Sequence, residues 1–247
     1  MLIKNLRADL LKMKGLSIAL AHLLIPIITS GVFLIYYAFS PWDADTKIVA
    51  FYQADGAGFP VLIGIFMAVL MEQEQNAGNF QNLLAMPAKM MAFFSKLLIL
   101  LLFSLFAVLL TTVIFEAGFY RISGNHTISI GNCLLAAFIM WCSSIPLYIW
   151  QMILAFQFGK GISIGAGIVS GLVCALMLTE LGTFVWKYIP AAWTGRIPYC
   201  YFKLVSGEAA VREEIKTVIP VYGIFTLVSM VYYFIWASCW EGSKISE

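Results

Sequence analysis

Long apolar runs alternate with short polar segments along this chain. Six runs have the length of a membrane-spanning helix, which needs about 20 apolar residues. Their predicted bounds are residues 16–39, 51–71, 97–119, 130–158, 162–179 and 218–240. Lipid offers no hydrogen-bond partner to an open backbone, so each run is expected to be helical. The pattern predicts an all-α, polytopic membrane protein with six transmembrane helices in one domain, residues 1–247.

Composition supports the same class. The 247 residues are 62% hydrophobic and 11% charged, and their mean hydropathy is +0.90. A soluble domain of this size needs more charge to cover its surface. The net charge of +2 is too small and too scattered for nucleic-acid binding. The five cysteines include no CxxC pair, and no HExxH, GxSxG or paired-histidine pattern indicates an enzyme.

The basic residues predict the orientation of the spans. Residues 1–15 place Leu2, Leu6 and Leu10 on one face and carry four basic side chains, as an interfacial helix does. Basic residues favour the cytoplasmic side of a membrane. The predicted inner segments of the first half carry Lys4, Arg7, Lys12, Lys14, Lys89 and Lys96. Both termini are therefore expected in the cytoplasm, although the predicted outer segment 181–217 also carries several basic residues.

The polar break at residues 72–96 has the periodicity of an amphipathic helix. Its apolar face carries Phe80, Leu83, Leu84, Met91 and Phe94 at three- and four-residue intervals. The opposite face carries Gln81, Asn82, Lys89 and Ser95. We expect a helix, broken at Pro87, that lies at the membrane surface or against a partner.

A local motif within this break resembles the first cytoplasmic loop of ABC type-2 permeases. The motif reads Glu72-x-Glu74, then Gly78, then Leu83-Leu84-Ala85-x-Pro87. The resemblance implies a coupling helix that docks on a separate ATP-binding subunit. The implied contact residues are Glu72, Glu74, Gly78, Phe80, Leu83, Leu84 and Pro87. An ordinary interfacial helix without a partner is the alternative, and Gln75 and Asn79 replace the Arg and Thr that the family often carries.

The overall layout resembles the permeases of lantibiotic-immunity (self-protection) exporters. That resemblance implies a bacterial cell membrane, a lantibiotic-like peptide as substrate, and two copies of an ATPase that binds ATP and Mg. It also implies a second, similar permease, so a heterodimer is favoured, with a homodimer still open. No cofactor is expected on this chain, because Gly159-Lys160-Gly161 lacks the remainder of a phosphate loop. Export of a lipid, polysaccharide or drug, and a non-transporting sensor or scaffold, are the alternatives.

The fifth run carries glycines at helical spacing, namely Gly161, Gly165, Gly167 and Gly171. Small residues at such intervals let two helix backbones approach closely. Packing within the monomer is favoured over packing against another subunit.

Five residues are candidates for a substrate or exit path on the outer side: Glu116, Glu180, Trp186, Trp193 and Tyr199. An acid within a membrane span is a functional candidate by default, and the outer segment 181–217 is rich in aromatic residues. Solvated acids at the interface and an interfacial aromatic belt are the alternatives. His22, in the first run, is interpreted as a packing residue.

Overall fold

The computed structural model describes residues 5–7, 9–10, 17–86, 88–124 and 127–242, and these residues contain helices and no strand. Eight α-helices have described bounds. They are α1 (Ser17–Phe39), α2 (Ala44–Asn76), α3 (Gln81–Leu84), α4 (Lys89–Ser123), α5 (Ile130–Phe158), α6 (Lys160–Met177), α7 (Trp193–Val205) and α8 (Val211–Cys239). Three 3₁₀ turns, Glu180–Gly182, Trp186–Tyr188 and Pro190–Ala192, connect α6 to α7.

Six of these helices are long and apolar enough to cross a membrane: α1, α2, α4, α5, α6 and α8. The prediction of an all-helical protein with six spans is confirmed. Most of the predicted interfacial helix, residues 1–15, lies outside the described residues; within it, residues 5–7 and 9–10 are helical.

Several helices extend beyond the predicted spans. The second span was predicted at 51–71, whereas α2 covers Ala44–Asn76; α4 and α8 likewise begin at Lys89 and Val211. Hydropathy locates the apolar stretch, but local hydrogen bonds decide where a helix begins. The backbone N–H of Thr46 donates to Asp43 Oδ2 at 2.9 Å and so caps α2. This bond holds the pKa of the Asp43 carboxyl below its ordinary value.

Helix α2 lies at the centre of the bundle, and its closest neighbour is α6. A Cβ atom on Gly64 would lie 3.0 Å from the Cα of Gly167 and 2.7 Å from the carbonyl oxygen of Ser163. The hydroxyl of Ser163 donates to the Gly64 carbonyl at 2.9 Å. A Cβ on Gly171 would lie 2.9 Å from the Ala57 carbonyl oxygen. Because Gly64, Gly167 and Gly171 carry no side chain, the backbones of α2 and α6 can lie this close together.

The four glycines of α6 therefore have two different environments. Gly167 and Gly171 contact α2 within the chain, whereas a Cβ on Gly161 or Gly165 would meet nothing within 4 Å. The first pair serves packing within the chain, and the second pair lies on the open side of α6.

The remaining spans surround this pair. Helix α1 packs on α4, where the hydroxyl of Ser30 donates to the Thr111 carbonyl at 3.1 Å, and its backbone lies farther from that of α2. Helix α8 packs on α5, and the Nε1 of Trp150 donates to Ser229 Oγ at 3.0 Å. We call the end of the bundle with residues 9, 74–96, 158–160 and 240 the terminal end, and the end with residues 40–46 and 178–211 the opposite end.

The two glycine environments predict different effects of the same substitution. Gly167→Ala should destabilise the protein by about 1–3 kcal/mol, because the new methyl group meets the backbone of α2. Gly165→Ala is the matched control on the same helix and should leave stability within about 0.5 kcal/mol. Thermal unfolding of the purified protein in detergent measures both. Equal effects of the two substitutions would contradict the close α2–α6 contact.

Candidate functional site

The chain reverses direction between α2 and α4 through a short structured loop. Helix α2 ends at Asn76, and Gly78, Asn79 and Phe80 then have φ angles of +125°, +47° and +65°. These angles end the helix, so residues 72–96 do not form the single amphipathic helix expected from their periodicity. Instead they comprise the end of α2, the four-residue α3 and the start of α4. Pro87 lies outside the described residues.

Apolar side chains fasten this loop to the bundle. Phe80 is 4% exposed, and its ring centroid lies 5.4 Å from that of Trp240 and 6.0 Å from that of Phe156. Leu83, in α3, is buried as well. A left-handed backbone costs a non-glycine residue roughly 1–2 kcal/mol, and burial of the Phe80 ring offsets that cost.

A buried ionic cluster lies directly beside the loop. The ammonium group of Lys96 lies 2.9 Å from Asp9 Oδ1 and 2.6 Å from Glu74 Oε1. All three side chains are buried, and the hydroxyl of Ser95 donates to Asp9 Oδ2 at 2.7 Å. The cluster joins the N-terminal segment, the end of α2 and the start of α4.

The two acids of the sequence motif therefore have different environments. Glu74 faces inward onto Lys96. Glu72 forms an exposed ion pair with Lys160, at 2.7 Å, and so joins the end of α2 to the start of α6. Lys89 donates to the Trp240 carbonyl at 3.0 Å, which adds the end of α8 to the same region.

Beyond these anchors the loop projects a polar surface that we call the loop tip, residues 75–79, 81 and 82, all of them exposed. Five of its side chains are the amides of Gln75, Asn76, Asn79, Gln81 and Asn82. The Nδ2 of Asn82 donates to the Ala77 carbonyl at 3.2 Å and holds the turn closed. The loop tip thus offers neutral hydrogen-bond donors and acceptors on a rigid base.

At the opposite end, two of the predicted exit-path residues are fully buried. The indole N–H of Trp186 donates to Glu214 Oε2 at 3.2 Å, and that of Trp193 donates to the Lys187 carbonyl at 3.1 Å. Both rings pack the segment between α6 and α8. Their positions are those of packing residues.

The other three exit-path residues do not converge on one cavity. Glu116 is buried in α4 beside a cavity of about 460 Å³, and Tyr199 lines a separate cavity of about 350 Å³. Tyr199 lies between Arg196 and Lys203, each with its charged group 5.7 Å from the ring centroid. Glu180 is exposed in the first 3₁₀ turn.

Sequence reasoning missed Asp9 and Lys96 as members of the ionic cluster. Lys96 was used only as one of the basic residues that set the orientation, and the separation of Asp9 from Lys96 along the chain gives no local signal of contact. The exposed amides of Gln75 and Asn79 were noticed only as departures from the family motif.

The six apolar helices, packed as one bundle, define a polytopic α-helical membrane protein. Residues 6–186 match the family model described as ABC-2 family transporter protein, which is well over half of the chain. The chain therefore belongs to the ABC-2 family, and it is a membrane permease component of an ABC transporter. Searches of the curated proteins and of the solved structures found no match.

The ionic cluster predicts a large effect of Lys96→Met. Removal of the ammonium group leaves two carboxylates close together and buried, which should cost about 3–5 kcal/mol of stability. The free energy of unfolding of the purified protein, monitored through the loss of its helical circular-dichroism signal, measures this change.

Lys160→Met is the matched control, because it removes one exposed partner of Glu72. Exposed pairs contribute about 0–1 kcal/mol, so this variant should remain close to the original protein. If Lys96→Met were as stable as Lys160→Met, Lys96 would not hold the two carboxylates in the folded protein.

Proposed function

We propose that the chain is the permease of an ATP-driven exporter and that its loop tip is the contact surface for a separate ABC ATPase. The observation that carries the proposal is the exposed, polar loop tip on a base anchored by Phe80 and Lys96. A protein interface needs a surface that keeps its shape and offers unsatisfied hydrogen-bonding groups. The chain itself binds no nucleotide in this proposal; the partner binds ATP and Mg.

The burial of individual residues refines the contact set implied by the family resemblance. Gly78 and the amides of the loop tip are accessible, and Glu72 lies at the rim. Glu74, Phe80 and Leu83 are buried, so they act from behind the surface as anchors. In this proposal the coupling motif comprises exposed contact residues and buried anchoring residues.

The mechanism follows from what the loop is attached to. Closure of the ATPase around ATP displaces the loop tip, and the Lys96 cluster carries that displacement into α2 and α4 together. The spans then rearrange as rigid elements to open a path on the opposite end. The terminal end is cytoplasmic in this proposal, in agreement with the basic residues of the first half of the chain.

The proposed assembly contains two copies of the ATPase and a second, similar permease in a bacterial cell membrane. A six-span permease resembles half of a transporter, and a heterodimer is favoured over a homodimer. Exposed apolar side chains along α1, α6 and α8 face lipid or the second permease.

The proposed substrate is a lantibiotic or a similar antimicrobial peptide, which the exporter expels to protect its host. Support for this substrate comes from the layout of six spans with a basic N-terminal segment in 247 residues. A lipid, polysaccharide or drug is the alternative cargo for the same layout.

The contact surface is tested by adding charge to the loop tip. The double variant Gln75→Lys, Gln81→Lys should reduce recovery of the ATPase with the solubilised permease at least about tenfold, which corresponds to about 1.4 kcal/mol. The physical reason is that two unpaired ammonium groups must lose water at the interface. Quantitative mass spectrometry of the purified complex provides the measurement.

Glu213→Lys is the matched control, since it changes the net charge by the same two units at an exposed position of the opposite end. It should leave recovery of the ATPase unchanged. Equal recovery with both variants would overturn the assignment of the loop tip. Absence of any ATPase with the original chain would favour a non-transporting sensor or scaffold.

The substrate is tested by expressing the permease with its ATPase in a lantibiotic-sensitive bacterium. The inhibitory concentration of a lantibiotic should rise several-fold, and the double loop-tip variant should abolish this rise. Unchanged sensitivity alongside an intact complex would reject the peptide substrate while leaving the exporter proposal standing.

A further inference from the structure

A narrow crevice lined by both apolar and polar side chains lies among α1, α2, α4 and α5, within the membrane-spanning part of the bundle. Its lining includes the polar side chains of His22, Asp55, Ser104, Thr111 and Tyr148. Its volume is about 30 Å³, which is room for a few water molecules and no organic substrate. Neither the loop tip nor the exit-path residues belong to it.

Asp55 is the acidic residue of this crevice. It follows Ala44, the first residue of α2, by eleven positions, which is roughly 16 Å along the helix. No hydrogen bond or ion pair joins its carboxyl group to any other residue that the structure describes. An uncompensated carboxylate within a membrane span is strongly unfavourable, so the group must be neutralised.

The surrounding ionisable groups do not supply a counter-charge. The ring of His22 in α1 stacks on that of Phe66 in α2, with centroids 4.0 Å apart. Phe66 follows Asp55 by eleven residues, which is roughly 16 Å along the helix, so His22 lies far from the Asp55 carboxyl. Tyr148 from α5 and Tyr52 from α2 are phenols. Among the described residues that line the crevice, none is a lysine or an arginine.

A metal cation fits the crevice poorly. Hard cations need about six oxygen ligands arranged around one point. The hydroxyl of Ser104 already donates to the Leu101 carbonyl at 2.9 Å, and that of Thr111 donates to the Ala107 carbonyl at 2.9 Å. Within the described part of the chain, no group of three His, Cys, Asp or Glu side chains is arranged to hold a metal.

We propose that Asp55 is a proton-binding site inside the transmembrane bundle, and that the crevice supplies the water through which the proton arrives. The proton adds to a carboxylate oxygen and gives a neutral carboxylic acid, with water as the proton donor and acceptor. The crevice borders the seam between α1 and α2, whose backbones stay apart and which meet through side chains such as His22 and Phe66. Separation of these two helices would admit water and release the proton.

The first test uses dicyclohexylcarbodiimide, an apolar reagent that modifies protonated carboxyl groups within membranes. The original protein in lipid vesicles is treated over a range of pH, and modified peptides are identified by mass spectrometry. Asp55 should be modified at neutral pH. Above the pH at which the carboxyl ionises, the rate of modification should decrease about tenfold for each further pH unit. Glu213, an exposed carboxylate, should stay unmodified at neutral pH.

Three outcomes would overturn the proposal. One is the absence of modification at Asp55 at every pH, and another is modification that does not vary with pH. The third is protection by sodium at constant pH and ionic strength, which would assign the site to a metal cation. Glu116→Gln is the matched control, since it removes a buried acid elsewhere in the spans and should leave modification of Asp55 unchanged.

A second measurement uses Asp55→Asn, which resembles the protonated acid and cannot ionise. As the pH rises, the thermal midpoint of the original protein should fall relative to that of the variant. The carboxyl of Asp55 ionises more readily in the unfolded protein than in the folded protein, whereas the amide of the variant ionises in neither. Parallel pH dependences would contradict the proposal. Both tests use the permease alone, so they remain valid whether or not the ATPase and peptide assignments hold.

Discussion

The ammonium group of Lys96 holds two carboxylates, those of Asp9 and Glu74, away from water at the terminal end of the bundle. Both carboxylates lie against the same ammonium group, and Ser95 also donates to Asp9. A buried ion pair adds little net stability, but loss of one partner is costly. The cluster therefore fixes which segments lie together, and the loop tip depends on that arrangement for its shape.

Helix α2 connects this cluster to the rest of the molecule. Glu74 lies near its last residue, at the terminal end of the bundle. Near its middle, Gly64 brings its backbone against that of α6, and Asp55 lies in the half toward the opposite end. A close backbone contact cannot slide without steric clash, so α2 and α6 move as one element. In the proposed mechanism, movement at the loop tip would thereby be transmitted along the bundle.

The number and order of the spans could be predicted because a membrane-spanning helix needs a long apolar stretch, which is visible in the local composition. The ends of α2 and the conformation of residues 72–96 could not be predicted in this way. Periodicity placed Phe80 and Leu83 on the apolar face of a helix, but the left-handed backbone at Asn79 and Phe80 ended the helix that the same periodicity favoured. The inward position of Glu74 depends on Lys96, a contact between separate elements that no local pattern reveals.

The contrast between tight and loose seams indicates where the bundle can change shape. Glycines join α2 to α6 backbone to backbone, whereas α1 packs on α4 and meets α2 through side chains, among them His22 stacked on Phe66. Side chains can repack where backbones in contact cannot, so in the proposed mechanism α1 and α4 separate from α2 and α6 along a seam of side-chain contacts such as Phe51 on Phe115. Because α4 carries Lys96 and α2 carries Glu74, the ionic cluster spans this same division at the terminal end. In the proposed mechanism the cluster would act as the pivot, and the crevice at Asp55 would lie along the seam that opens.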